Sequence, residues 1–197
     1  MYNWKEVLDY INGEIAGMSF ERQPAELYEP IRYVLSMGGK RIRPVLMLMA
    51  YNLYKEKVEE IGSQAVAIEI YHNYTLLHDD LMDRADMRRG MATVHKKWDD
   101  NAAILSGDSM LVMAYRYMQQ GCPAEHLGDV MSLFTETALE IGEGQQYDME
   151  FEARADVSEE EYIEMIRLKT SVLLACALKI GAWLGGAPRQ DAELLYR

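Results

Sequence analysis

The sequence predicts an all-α protein, and three observations support this fold class. Apolar residues recur at helical spacing in segment after segment, and no stretch alternates convincingly as a strand. Glycines and prolines lie between the segments, where they end one helix and begin the next. Residues 61–83 are apolar over most of their length and form a predicted helix about 35 Å long. With 197 residues, 49% of them hydrophobic, we expect a single domain over residues 1–197 with one core.

The helices are predicted in order from their start and stop signals. Gly62-Ser63 is expected to cap the central helix, and Ser158 with Glu161 forms a predicted capping box. Gly185 and Gly186 are expected to end the helix that Ser158 begins. The predicted helices are residues 4–16, 24–37, 45–54, 61–83, 101–119, 125–152 and 158–184, with a loop at 87–99 and a further short helix from 189.

Charge and composition exclude several classes of function. Lys and Arg number 20 and Asp and Glu number 32, so the net charge of −12 disfavours nucleic acid as a partner. Two cysteines do not make a disulfide framework, and charged residues occupy the N-terminus where a signal peptide needs an apolar run. No apolar run reaches the roughly 20 residues of a membrane span. We therefore expect a cytoplasmic protein without a membrane span.

Acidic residues end the central helix. Asp79 and Asp83 are four residues apart and share a face, Asp80 lies between them, and His72 lies about 20° from the same line. Like charges at this spacing repel, and a bound Mg²⁺ would remove the repulsion, because it prefers carboxylate oxygens together with water and phosphate. A solvated acidic helix end is the alternative.

Basic residues flank this acidic segment on both sides in the sequence. Arg88 and Arg89 follow it and could hold a phosphate beside the metal. Before it comes the loop GGKRIRP, in which Lys40 and Arg43 lie at a helix N-terminus, the end that the helix dipole makes unfavourable for cations. A bound diphosphate would compensate these charges. The alternative is a solvated basic turn.

A further cation lies on a predicted core face. The apolar stripe of the helix 158–184 includes Lys169 and Thr170. Lys169 could point into a central cavity that it shares with the aspartates, or its stem could be buried with the ammonium in water. The apolar members of this stripe are Ile166, Leu173, Ala177, Ile180 and Leu184.

Four motifs in order give the chain a family resemblance. GGKRIRP, HNYTLLHDDLMDRADMRRGMATVH, GEGQQYDME and RLKTSVL resemble those of the trans-prenyl diphosphate synthases, the polyprenyl synthetase family. The resemblance implies an all-α antiparallel bundle around a central cavity, the isoprenoid synthase type, usually as a homodimer. It also implies Mg²⁺-dependent head-to-tail condensation of isopentenyl diphosphate with an allylic prenyl diphosphate.

The resemblance also implies roles for individual residues. Asp79 and Asp83 would bind Mg²⁺ with support from Asp80, and Gln145 and Asp148 would lie in the outer shell of the metal. The allylic diphosphate would be held by Arg88, Lys169 and Thr170. The second substrate, isopentenyl diphosphate, would be held by Lys40, Arg43, His72 and Arg89.

The resemblance further bears on product length. Tyr74 and Thr75 occupy the positions that help to form the pocket floor in the family. A bulky ring at Tyr74 resembles short-chain members that make C15 or C20 products, although a tyrosine there could equally be core filling.

The given sequence departs from the family pattern at its end. It stops at Arg197 before a second aspartate-rich motif, so the predicted bundle is incomplete at the C-terminus and the chain as given is expected to be inactive.

Three rival hypotheses are weighed against the synthase. A non-catalytic partner subunit of a prenyl diphosphate synthase is consistent with the missing motif. A terpene cyclase would have no use for the GGKRIRP loop. A di-iron protein would use the Glu69-x-x-His72 pair, but none of the other histidines has a glutamate three residues before it.

Overall fold

The computed structural model describes residues 1–196, and Arg197, where the given sequence stops, lies outside the described residues. Helices dominate the described chain, so the predicted all-α class is confirmed. The helices are α1 (Trp4–Ala16), α2 (Ala25–Ser36), α3 (Ile42–Asn52), α4 (Gly62–Met82), α5 (Val94–Lys97), α6 (Asp100–Gln119), α7 (Ala124–Glu152), α8 (Glu159–Ile166), α9 (Val172–Gly185) and α10 (Arg189–Tyr196).

The chain forms two compact units. The central-helix unit comprises Asn3–Val45 and Gly62–Gln120. The C-terminal unit comprises Met1–Tyr2, Leu46–Ile61 and the described residues from Gly121 onward. The single domain expected over residues 1–197 stays a prediction.

The central-helix unit is organised around α4. This helix packs mainly against α6 and also contacts α1, α2 and α5. The buried Gln64 amide donates to the carbonyls of Met118 and Gln120. It thereby provides hydrogen bonds for backbone carbonyls at the C-terminal end of α6 that have no partner within the helix. In this way α4 is held along its length and presents its last turn at a defined position.

The predicted start of the central helix is corrected by the structure. A 3₁₀ turn, Val58–Ile61, precedes α4, which begins at Gly62. Ser63 does not cap the helix, because its hydroxyl donates to the carbonyl of Tyr117, 2.9 Å away. The glycine at position 62 allows the side chain of Tyr10 to pack against the backbone of α4, since a Cβ there would lie 2.1 Å from the hydroxyl of Tyr10. The Gly-Ser pair therefore reflects tertiary contacts and not an N-cap.

The loop predicted at 87–99 contains a small antiparallel hairpin. Strands β1 (Met87–Arg88) and β2 (Met91–Ala92) pair across the turn Arg89-Gly90. Both turn residues have positive φ, 52° and 78°, the pattern of a type I′ turn that suits two-residue hairpins. The hairpin was missed because its strands have only two residues each, too few for an alternating pattern.

The helix predicted over 158–184 is interrupted at a functional motif. Ser158 caps α8 with the predicted capping box. Residues Arg167–Ser171 then form a π-helical segment before α9. A π-helical turn contains more residues than an α-helical turn, so the residues after it are rotated relative to the residues before it. Ile166, which directly precedes the segment, is therefore 36% exposed and not part of the buried stripe. The other four apolar members of the stripe are buried in α9.

The C-terminal unit is packed closely around α9. This helix contacts α7 and α10, and a Cβ at Gly181 would lie 2.1 Å from the carbonyl oxygen of Met47. The Gly181→Ala variant is therefore expected to lose about 1–3 kcal/mol of unfolding free energy, because backbone has to move. Gly142→Ala is the matched control, since nothing lies within 4 Å of a Cβ there, and it should gain up to about 1 kcal/mol from helix propensity. Urea unfolding measures both, and equal stability of the two variants would contradict the prediction.

One helical segment, Glu159–Gly185, is long and apolar enough to cross a membrane by length and composition alone. However, 61% of its apolar window is buried inside the protein, and core helices satisfy the same criterion.

Candidate functional site

The basic loop, the start of α3, the middle of α4 and the hairpin turn line a cavity in the central-helix unit that is open to solvent. Its volume is about 450 Å³. The structure brings together here the four residues predicted to hold the second diphosphate, Lys40, Arg43, His72 and Arg89. We call these four residues and the cavity the basic cradle. The cavity is also lined by Gly39, Arg41, Ile42 and Glu69.

Backbone conformation shapes the cradle wall. Gly38 and Gly39 have φ of 72° and 149°, values that favour glycine. A Cβ at Gly39 would lie only 2.9–3.0 Å from the guanidinium of Arg89, which donates to the carbonyl of Gly38. The glycines therefore let Arg89, carried by the hairpin turn, contact the loop that carries Lys40.

Arg43 and His72 form the inner wall. Nη1 of Arg43 lies 3.3 Å from Nε2 of His72. A guanidinium has no acceptor, so Nε2 accepts and the imidazole proton lies on Nδ1. Nε of Arg43 is buried and has no hydrogen-bond partner among the described residues. Burial lowers the pKa of Arg43, and the charge of Glu69 raises it. A half-buried cation with an unused, buried donor is suited to an anion in the cavity.

His72 is held neutral by its surroundings. Burial lowers its pKa from the ordinary 6.5 to about 3, and the charges of Arg43, Arg89, Arg88 and Arg41 act in the same direction. Between these two pH values the unfolded chain binds the proton more tightly than the folded chain does. The folded state therefore loses stability as the pH falls from 6.5 towards 3.

This shift predicts a pH dependence of stability. Relative to a His72→Asn variant, wild type is expected to lose up to about 1.4 kcal/mol of unfolding free energy per pH unit below pH 6.5. Denaturant unfolding at pH 7.5, 5.5 and 4.5 measures the difference. Parallel pH curves for the two proteins would contradict it.

A buried ion pair lies beneath the cradle, and the sequence analysis missed it. Nη1 of Arg41 is 2.5 Å from Oε1 of Glu69, and both side chains are almost fully buried. Nη2 of Arg41 donates to the carbonyl of Leu35 at 2.9 Å, and Nε to Asn12 at 3.4 Å. The Glu69-x-x-His72 spacing suggests a di-iron ligand, but a carboxylate inside an apolar helix is itself a signal that a cationic partner is required.

The acidic end of α4 is organised by Arg88. Its Nε donates to Oδ2 of Asp80 at 2.7 Å, and its Nη2 lies 3.6 Å from Oδ2 of Asp79. The hydrogen bond to Asp80 is the main reason why the pKa of Arg88 is raised. Asp80 is buried, whereas the Asp79 side chain is 19% exposed and Asp83 is exposed. Asp80 therefore positions Arg88 next to the two more accessible aspartates.

The donor set at this end fits a hard cation that keeps other ligands. Asp79 lies in the last turn of α4, and Asp83 directly follows the helix, with its backbone nitrogen donating to the carbonyl of Asp79 at 2.9 Å. Oδ1 of Asp80 is buried without a hydrogen-bond partner among the described residues. Within residues 1–196, no group of three or more His, Cys, Asp or Glu side chains could hold a metal by itself. Mg²⁺ matches this arrangement, because it is usually bound by one or two carboxylates and completes its shell with water and phosphate oxygens.

The remaining predicted diphosphate and outer-shell residues lie in the C-terminal unit. Lys169 occupies the π-helical segment, and its Nζ is 2.5 Å from Oδ2 of Asp148 on α7. Gln145 is on the same helix one turn earlier, and Thr170 is exposed. A Cβ at Gly144 would lie 2.3 Å from the backbone nitrogen of Lys169, so α7 and the π-helical segment pack backbone to backbone. The expected convergence of Lys169 with the aspartates stays a prediction.

Tyr74 belongs to a row of rings on α4. Its ring centroid is 5.5 Å from that of Tyr71 and 4.9 Å from that of His78, both in edge-on contact. Burial raises the pKa of Tyr74, and the charge of Asp108 adds to this. Thr75 donates instead to the carbonyl of His72 at 2.8 Å. The two predicted floor residues therefore have different surroundings.

Trp98, for which sequence reasoning found no role, packs edge-on against Tyr33 with ring centroids 5.2 Å apart. The ammonium of Lys97 lies 3.8 Å from the centre of the Tyr33 ring. The hydroxyl of Tyr33 donates to the carbonyl of Ala92. This cluster ties α2 to the hairpin that carries Arg88 and Arg89.

Comparison with known proteins gives consistent similarities. The polyprenyl synthetase family profile matches residues 24–197. A geranylgeranyl diphosphate synthase of Methanosarcina mazei is 46% identical over 175 residues, which cover 88% of this chain and 54% of that protein. A geranylfarnesyl diphosphate synthase of Natronomonas pharaonis is 37% identical over 206 residues, and the match covers 95% of this chain and 60% of that protein.

Solved structures share the all-α fold. A crystal structure of a geranylgeranyl pyrophosphate synthase superposes with a TM-score of 0.94 at 46% identity and covers 100% of this chain and 60% of that one. The geranylgeranyl pyrophosphate synthetase of Geoglobus acetivorans superposes with a TM-score of 0.93 at 38% identity, and the match covers 98% of this chain and 63% of that one. The chain thus spans between half and two thirds of the length of these relatives. The profile match over residues 24–197 shows that the chain belongs to the polyprenyl synthetase family.

Proposed function

We propose that this chain provides the isopentenyl diphosphate site and the first aspartate-rich site of a prenyltransferase. The reaction is the head-to-tail condensation of isopentenyl diphosphate with an allylic prenyl diphosphate to a C15–C20 all-trans product. The observation that carries the proposal is the basic cradle, in which three cations and one neutral histidine surround a cavity on the helix that ends in the aspartates.

The residues of the cradle would bind and orient the second substrate. Lys40, Arg43 and Arg89 would pair with the diphosphate oxygens, and the unused Nε of Arg43 would gain a partner. The neutral imidazole of His72 would donate through Nδ1, while its Nε2 accepts from Arg43. These contacts would leave the isopentenyl double bond oriented towards the allylic carbon, which lowers the entropic part of the barrier.

The acidic end of α4 would hold the allylic substrate. Asp79 and Asp83 would bind Mg²⁺, which when present neutralises charge on the leaving diphosphate. Arg88, held by Asp80, would stabilise the negative charge that develops as the allylic C–O bond breaks. Lys169 and Thr170 would add to this, with Gln145 and Asp148 in support. The new C–C bond then forms, and the proton lost from the isopentenyl carbon passes to the departed diphosphate.

The oligomeric state and the cellular location of the protein are part of the same proposal. We infer a cytoplasmic protein, and a homodimer as the family resemblance implies. A non-catalytic partner subunit of a prenyl diphosphate synthase remains the second candidate. A terpene cyclase is disfavoured, because the cradle would have no second diphosphate to bind.

Two measurements test the proposal. Calorimetric titration of the chain with isopentenyl diphosphate should show one site, and a Lys40→Ala/Arg43→Ala variant should bind at least about 100-fold more weakly, since two charge-assisted contacts are lost. Incubation of the full-length gene product with Mg²⁺, isopentenyl diphosphate and each allylic primer, followed by chromatography, reports condensation. Binding without condensation supports the partner subunit, and absence of binding contradicts both candidates.

Product length provides a separate prediction. Tyr74→Ala removes a bulky ring from α4, so product should lengthen by at least one C5 unit if this ring stops the growing chain. Tyr74→Phe is the matched control, because it keeps the ring and should leave the length unchanged. Chromatography of the products measures both, and an unchanged length for Tyr74→Ala would reject the floor hypothesis.

A further inference from the structure

Arg41 differs from the other cations of the basic loop. Its side chain is 5% exposed, whereas Lys40 is exposed and Arg43 is half-buried. Its guanidinium is already engaged by Glu69, by the carbonyl of Leu35 and by Asn12. A diphosphate in the cradle would therefore have to compete with three existing partners for this group.

Glu69 would repel an anion if it were not neutralised. Its carboxylate lines the same cavity as Lys40, Arg43 and His72. The second contact of Oε1 is the side-chain amide of Asn73, at 2.9 Å, which carries no charge. Arg41 supplies the charge that cancels Glu69 within hydrogen-bond distance.

The backbone of Arg41 adds a second observation. Its φ is 49°, in the left-handed region that residues with a Cβ seldom adopt. Its carbonyl accepts from the backbone nitrogen of Val45, 3.1 Å away, so this residue connects the loop to the first turn of α3. Lys40 directly precedes Arg41 and Arg43 lies two residues after it, so both cradle cations belong to the same short segment as the engaged guanidinium.

We propose that Arg41 is a positioning residue for the diphosphate of the second substrate. It acts without touching that substrate, by neutralising the Glu69 carboxylate that lines the cavity beside Lys40 and Arg43. This inference rests on the proposed function of the cradle.

The test measures binding of inorganic diphosphate to four forms of the protein by calorimetry. The forms are wild type, Arg41→Gln, Glu69→Gln and the double variant Arg41→Gln/Glu69→Gln. Arg41→Gln leaves an uncompensated carboxylate beneath the cradle and should weaken binding at least about 10-fold. The double variant has no net charge at the pair, as in wild type, and should bind within about 3-fold of wild type.

A second readout separates positioning from general loss of structure. In Arg41→Gln the carboxylate of Glu69 is unpaired near His72 and the charge of Arg41 is gone, so the NMR-measured pKa of His72 should rise. The double variant should keep this pKa low, because Arg43, Arg88 and Arg89 still face the imidazole.

The outcomes distinguish the inference from the proposed function. If wild type does not bind diphosphate, both are wrong. If wild type binds and the double variant binds at least 10-fold more weakly, Arg41 contacts the anion directly and the inference alone is overturned. That comparison stays decisive even if Arg41→Gln does not fold. Equal binding by a folded Arg41→Gln would likewise overturn the inference.

Discussion

In the full-length gene product, replacing Asp79 with asparagine is expected to lower kcat/KM for the proposed condensation at least about 1000-fold, which corresponds to the loss of about 4 kcal/mol of charge stabilisation. The variant keeps the size and the helical position of the side chain but removes the charge that would bind Mg²⁺. Steady-state kinetics with isopentenyl diphosphate and an allylic primer measure the effect. Binding of isopentenyl diphosphate alone should be unchanged, since the cradle does not contain Asp79.

Asp86→Asn provides the matched control for this experiment. Asp86 lies just beyond the acidic motif, its side chain is 80% exposed, and it pairs with Lys96. It should therefore keep kcat/KM within about 3-fold of wild type, as expected for an exposed ion pair. Similar losses in both variants would show that the effect is a general response to removal of charge and not the loss of a metal ligand.

Replacing Glu69 with alanine is expected to have the largest effect on stability, a loss of about 3–5 kcal/mol of unfolding free energy. The physical reason is that Arg41 would remain buried with a charge and no carboxylate partner. The hydrogen bond from Asn73 to the carboxylate would also be lost. Urea unfolding followed by circular dichroism measures the change.

The control for this prediction is Glu143→Ala, an exposed glutamate on α7. Substitution at such a surface position should change stability by no more than about 0.5 kcal/mol. Arg41→Gln/Glu69→Gln should also be far more stable than Glu69→Ala, because it removes both charges together. A loss below about 1 kcal/mol in Glu69→Ala would mean that the pair is accessible to water, and the account of a buried pair would be wrong.

Local sequence signals determined much of the fold. The capping box at Ser158 and the glycines after α2 and α9 mark where helices begin and end, because caps satisfy backbone groups within a few residues. The residues of the cradle were also predictable. Lys40 and Arg43 violate a local electrostatic rule at a helix N-terminus, and such violations are visible without any tertiary information.

Only the tertiary structure decided how the charges are paired. Arg41 meets Glu69 across 28 positions of sequence, and Arg88 meets Asp80, which positions it beside Asp79. The π-helical segment likewise depends on the close approach of Gly144, and the hairpin on two left-handed turn residues. Helical periodicity reports which residues of one segment share a face, but the choice of a partner depends on burial and on distances between segments. For that reason the sequence determined the helices and the kinds of side chain at the site, and the folded chain decided which cations remain available for an anion.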